Sequence, residues 1–172
     1  MKTFFCDNCG GLVFFENTHC LQCERALGFL PDIRDLSALE PASGTESRAL
    51  ATPAKGRLYR QCPNGRDYQV CNWYVPVEDK NPFCASCRTN QTIPDLAIPE
   101  NLERWRKIEI AKRRLIYTLQ ALHLSLEGRD DRPPLQFNFL ADVPGGPPVL
   151  SGHENGLITL NIAEDFFGLL EG

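Results

Sequence analysis

Small cysteine-tied β modules followed by an incomplete α+β unit make up the fold class that the sequence predicts, on three observations. Eight cysteines fall into two groups of four. Short apolar runs with strand-like alternation lie among and after them, bounded by turn residues. One stretch, from Pro99 to about Leu124, repeats its apolar residues at helical spacing.

The first group is Cys6, Cys9, Cys20 and Cys23, two Cys-x-x-Cys pairs ten residues apart. Each such turn points two sulfurs at one spot, and a second pair completes a tetrahedron around a thiophilic ion. Residues 1–30 are therefore read as one zinc ribbon. Cys6–Gly11 forms the first knuckle, with glycines where the chain turns back and its amides face sulfur. Leu12–Phe15 is a strand, Cys20–Cys23 the second knuckle, and Ala26–Leu30 the returning partner strand. A unit this short buries too little apolar area to fold unaided. Its metal is expected to supply on the order of 10 kcal/mol.

Residues 31–56 are rich in Pro, Ala, Ser and Gly and read as a linker, with a short helical turn at Asp35–Leu39. The second group, Cys62, Cys71, Cys84 and Cys87, lies in a second ribbon-like unit over 57–94. Arg57–Cys62 and Cys71–Val75 are its strands, Asn64-Gly65 its turn and Cys84–Cys87 its closing knuckle. Trp73, Tyr74 and Phe83 are expected to shield the metal rather than stack on bases.

The last unit spans 95–172. Its helix carries Leu102, Trp105, Ile108, Leu115, Leu119 and Leu122 on one face. Arg104, Arg106, Lys107, Lys112, Arg113 and Arg114 are assigned to a solvated polar side. Arg129–Pro134 breaks the helix, Leu135–Leu140 alternates as a strand, and Glu154-Asn155-Gly156 turns into a second strand, Leu157–Ile162. A β-hairpin is thus expected beside the helix.

Compartment decides between metal and disulfides. Met1-Lys2-Thr3-Phe4-Phe5 reaches Cys6 before a signal-peptide apolar region could develop, and no apolar run approaches a membrane span. The expected home is the reducing cytoplasm, where clustered cysteines bind metal more often than they pair. A redox pair needs one Cys-x-x-Cys beside a βαβ pattern, whereas these come in fours. Two structural zinc ions are the expected cofactors, with iron in the first site the rival for the same four sulfurs. His19, beside Cys20, and His123, near the helix end, are read as ordinary surface residues.

The formal charge is −4, and eight bound thiolates with two divalent ions bring the holo chain to about −8. That balance disfavours general polyanion binding. A protein or peptide is the expected partner and nucleic acid the less favoured alternative, with no membrane association.

The order of segments adds a resemblance. Cys6-Asp7-Asn8-Cys9-Gly10, Cys20-Leu21-Gln22-Cys23, Leu27–Asp32, Cys71-Asn72-Trp73, Phe83–Arg88, Thr92–Leu96, Ala111–Leu115 and Gly152–Glu164 resemble a bacterial family of zinc-binding metallopeptidases with N-terminal zinc ribbons. The resemblance implies a zincin-like α+β domain after the ribbons. It also implies that catalysis belongs to a helix bearing His-Glu-x-x-His, whose histidines bind zinc while the glutamate activates water. That motif is not in this sequence: His153-Glu154-Asn155-Gly156-Leu157 has leucine at the second histidine position and an Asn-Gly turn where a helix is required. No catalytic residue is therefore assigned. The resemblance casts Leu157–Ile162 as an edge strand that aligns substrate. Asp165–Gly172 departs from the family as a short apolar tail, so a C-terminally truncated member is expected, with a second half that is loosely packed or completed by another chain. The functional expectation is a structural zinc-binding protein, non-catalytic as it stands and serving protein interaction or substrate recruitment. The alternatives are a nucleic-acid-binding ribbon protein and a peptidase completed by another chain or by downstream sequence.

Overall fold

The computed structural model describes residues 2–164. Strands β1 (Phe4–Phe5) and β2 (Leu12–Val13) pair as a small antiparallel ribbon around the first knuckle. A five-stranded antiparallel sheet follows, in the order β3 (Leu27–Leu30), β4 (Asp35–Pro41), β5 (Glu46–Ala49), β6 (Leu58–Gln61) and β7 (Tyr74–Pro76). A short helix, α1 (Pro63–Arg66), lies between β6 and β7. The remainder is a long helix, α2 (Pro99–Ala121), with a mixed sheet ordered β10 (Gly152–Glu154), β11 (Leu157–Asn161), β9 (Gln136–Leu140) and β8 (Asn90–Thr92).

The stretch expected as a linker is the centre of the five-stranded sheet. Small residues there pack closely instead of conferring freedom: Ser37 and Ala38 are fully buried, and Leu39 nearly so. The Ser37 hydroxyl accepts the amides of Leu50 and Ala51 at 3.1 and 2.9 Å and donates to the Ala38 carbonyl at 2.8 Å. Asp35–Leu39 is accordingly extended and not a helical turn. Composition resembles a linker when a strand is built of small side chains, because burial is set by neighbours that composition does not contain.

The return strand of the first ribbon also finds a different partner. Leu27–Leu30 pairs with residues 35–38 of β4 through Leu27↔Ala38 and Phe29↔Leu36, while Leu12–Val13 pairs with Phe4–Phe5. Asp7 ties the two systems by accepting the Ala38 amide at 3.1 Å. In the second unit the Asn64-Gly65 turn signal falls inside α1. A Cβ at Gly65 would run into the Cys71 carbonyl, so the close approach of α1 to that cysteine requires glycine.

Helix α2 starts with Pro99 at its first position and ends at Ala121, where His123 turns left-handed at φ +57°. Its buried face is rotated from the predicted one. Trp105 and Ile116 are fully buried, whereas Leu115 and Leu122 are exposed. Glu109, Lys112 and Arg113 go inside with them, so two of the six basic residues assigned to solvent are core residues. Lys112 lies over the stacked rings of Phe137 and Phe139 at 5.4 and 5.3 Å. Tyr117 on the same helix meets Phe15 and Phe29 at ring separations of 5.3 and 5.8 Å.

The predicted hairpin is present, with Asn155 and Gly156 at φ +48° and +81° between β10 and β11. Strand β11 is not the edge expected of it. It runs parallel to β9 on one side and antiparallel to β10 on the other, and β10 takes the edge. One core of buried residues runs from Phe4 to Ile162, with Trp73, Trp105, Ile116 and Phe139 at its centre, while β11 is mostly half-buried and β10 exposed. The predicted tail, residues 165–172, lies outside the described residues.

Candidate metal centres

Both cysteine groups converge. The Sγ atoms of Cys6, Cys9, Cys20 and Cys23 lie within 4.8 Å of one another, as do those of Cys62, Cys71, Cys84 and Cys87. In the first group Cys6–Cys23 and Cys9–Cys20 are 3.7 and 3.6 Å apart, and in the second Cys71–Cys84 is 3.7 Å. A zinc–sulfur bond of about 2.3 Å makes the edge of a tetrahedron roughly 3.8 Å. The four-thiol sets therefore fit a tetrahedral divalent ion at its natural bond length, and the two sites are compatible with two structural zinc ions.

Backbone turns aim the sulfurs. In the first knuckle the Gly10 amide donates to the Cys6 carbonyl at 2.8 Å, and in the second the Glu24 amide donates to the Cys20 carbonyl at 2.8 Å. The residue after each pair is left-handed, Gly10 at φ +74° and Glu24 at φ +59°. The closing knuckle repeats the hydrogen bond, from the Arg88 amide to the Cys84 carbonyl at 3.0 Å. Main-chain amides also point at sulfur: Trp73 N–H to Cys71 and Cys87 N–H to Cys84, both at 3.4 Å. Such donors favour the thiolate that a metal requires.

The environments of the two groups differ. Cys62, Cys71, Cys84 and Cys87 are all buried, whereas Cys9 and Cys23 are partly open to solvent. In the metal-free chain the Arg25 amide, with the Asn8 side chain, draws the Cys23 thiol down to about 6. The Gly11 amide pulls Cys9 the same way, but desolvation and the neighbouring sulfurs outweigh it and push Cys9 up to about 12. Burial raises Cys71 and Cys84, while hydrogen bonds from Cys71, Cys84 and Cys87 lower Cys62.

The aromatic residues assigned to shielding divide. Trp73 is fully buried and packs on Phe29 with ring centroids 4.6 Å apart, joining the two ribbons. Tyr74 lies against Gly28, where a Cβ would strike its ring. Phe83 is partly buried against the same core. His19 is exposed, bonded at Nδ1 to Thr18 Oγ1 at 3.2 Å, and belongs to neither four-sulfur group. His153 and Glu154 are exposed on β10 and its turn.

Sequence reasoning missed several buried polar residues. Glu109 Oε1 accepts from Lys112 at 2.9 Å, from Trp105 Nε1 at 3.1 Å and from Asn90 Nδ2 at 2.7 Å. The three-residue spacing of Glu109 and Lys112 is an ion-pair signal, but nothing local marks the pair as buried. Arg113 donates to the Val70 carbonyl and is only 4% exposed.

Comparison with known proteins places this arrangement. A zinc-ribbon domain model matches residues 3–98, and a model described as "Putative zinc-binding metallo-peptidase" matches residues 101–165. Uncharacterized proteins of Mycobacterium bovis and of Mycobacterium tuberculosis are 36% identical over 166 residues, covering 95% of this chain and 44% of theirs. The chain thus spans less than half the length of these relatives. No solved structure matches it. Over residues 3–98, more than half of its length, the chain belongs to the zinc-ribbon domain family, and residues 101–165 are similar to the zinc-binding metallo-peptidase model.

Proposed function

We propose that these 172 residues are the zinc-stabilised, non-catalytic portion of a metallo-peptidase-family protein, working in the reducing cytoplasm to engage a protein or peptide. The observation that carries this reading is the closed, all-sulfur character of both metal centres. A structural zinc is enclosed by four protein ligands, whereas a catalytic zinc keeps one position open for water. Among the described residues, the groups of three or more His, Cys, Asp or Glu side chains able to hold a metal are these two cysteine sets. The eight free thiols suit a reducing compartment. Among the described residues, no helix is long and apolar enough to cross a membrane.

In this reading α2 and the β8–β9–β11–β10 sheet form the front of a zincin-like domain, a view supported by the metallo-peptidase match over residues 101–165. The exposed His153 and Glu154 sit on a strand and turn, where they cannot present two ligands one helical turn apart. Metal analysis of the purified chain is expected to give about two zinc per molecule. Incubation with casein and added zinc is expected to yield no cleavage above a chelated control. Zinc-dependent cleavage that disappears in H153A would overturn the assignment.

A further inference from the structure

A cleft of 490 Å³ lies where both ribbons meet α2, and its polar lining is incompletely satisfied. Its volume falls within the range of small-ligand pockets. Arg113 reaches it from the helix, buried, with one guanidinium nitrogen bonded to the Val70 carbonyl and Nε without a partner among the described residues. Arg106, two helical turns earlier, gives Nη1 to Glu103 at 3.0 Å and likewise leaves Nε unpartnered. From the second ribbon comes Asn72, 3% exposed. Its Nδ2 donates to the Phe15 carbonyl at 2.6 Å, while Oδ1 has no donor among the described residues.

The charges around the cleft favour an anion locally, although the whole chain is acidic. Arg106 and Arg113 are its cations, and His19 lines its exposed rim. Its carboxylate, Glu16, is already held by Arg114 Nε at 2.6 Å. Cys71, of the second four-sulfur set, lines the same cleft as Arg113. Guanidinium groups match carboxylates in planar, charge-assisted pairs. The buried, unfilled acceptor on Asn72 calls for an N–H beside that carboxylate, because a buried amide oxygen without a donor is costly.

We propose that this cleft binds the C-terminal carboxylate of a peptide, with Arg106 and Arg113 facing the carboxylate and Asn72 Oδ1 accepting the preceding amide N–H. Recognition of a chain end by a carboxylate-binding pocket is a known mode of peptide capture. The site rests on the reading of the chain as a peptide-engaging scaffold and gives that reading its chemistry. The two can fail separately, since zinc content and casein cleavage test one and end-group dependence tests the other.

The test uses the zinc-loaded full chain and fluorescence anisotropy of fluorescein-labelled tetra-alanine with a free C-terminus. Amidation of that C-terminus is expected to weaken binding by about tenfold or more, and R106Q by a similar factor. Arg106 is half-buried at the rim, so R106Q should keep its zinc, whereas substitution of Arg113 risks the fold. E16Q should tighten binding by removing a competing carboxylate, an effect opposite in sign to R106Q. Equal affinity for acid and amide peptides, indifference to R106Q, or no binding at about 1 mM peptide would overturn the site. Inorganic phosphate competing as well as the peptide would assign a bare oxyanion pocket and overturn the peptide assignment.

Discussion

Asp79 shows how a single carboxylate supports the closing knuckle from outside the metal site. Its Oδ2 accepts from Arg88 at 2.7 Å, directly after Cys87, and its Oδ1 accepts the Asn81 amide at 2.9 Å. The Arg88 hydrogen bond, followed by that of Asn81, holds the carboxyl below its ordinary value of 3.8. A carboxyl lowered on folding stabilises the protein above its unfolded value and loses that contribution as pH falls through the lowered one. D79N is therefore expected to destabilise the protein at neutral pH by less than about 1 kcal/mol, because the pair is partly exposed, and so to lower the thermal midpoint slightly. The difference from the parent should vanish in strong acid. A pH series of thermal melts checks this, and a difference that grows with acid would contradict it. At this scale the cysteines were the legible part of the chain. Cys6, Cys9, Cys20 and Cys23 reveal a site because Cys-x-x-Cys spacing is a local geometric fact, and Cys84-x-x-Cys87 extends it to the second set. Asn72 and Ser37 were not legible, since their roles are defined by Phe15 and by Leu50 and Ala51, which lie elsewhere in the chain.

At the scale of elements, α2 carries the largest difference between expectation and structure. Helical spacing found the helix and its Trp105–Ile108 stripe, but charge pattern placed Lys112 and Arg113 in solvent. Both are buried because α2 is covered from two sides, by the β8–β9–β11 sheet and by the ribbons. A charge inside a protein is tolerated when it is paired, and Glu109 with Lys112 and Asn90 supplies that pairing. Burial pushes the Glu109 carboxyl up, against the attraction of Lys112. E109A is expected to cost about 3–5 kcal/mol, because Lys112 would be left buried without its partner. The double change E109L/K112M should cost much less, since it removes both charges and fills the space. Urea denaturation of the two variants checks the order, and equal losses would show that packing alone is at stake. The strands of residues 31–56 teach a related lesson: Pro, Ala and Ser in sequence give no sign of the neighbours that enclose β4.

Across the whole molecule, the ribbons and the α+β half share one core. Phe15 and Phe29 from the first ribbon, Trp73 from the second and Tyr117 from α2 form a continuous aromatic cluster. Arg114 on α2 also bonds Glu16 of the first ribbon. Removing zinc should therefore disturb α2 as well as the ribbons, because structural metal binding is coupled to folding. Chelation of the purified protein is expected to lower the helical circular-dichroism signal, and urea should unfold the zinc-loaded chain in a single transition. Full retention of the helical signal in the chelated protein would separate the two halves and contradict the shared core. The sequence by itself determined the two four-sulfur sites, the long helix, the Asn155-Gly156 hairpin and the family resemblance, because each rests on spacing within a short span. The tertiary structure alone decided that residues 31–56 are sheet, that Lys112 and Arg113 are buried, that β11 lies inside its sheet, and that one core joins both halves. These are outcomes of contact between distant segments, and burial and pairing belong to those contacts and to no local pattern.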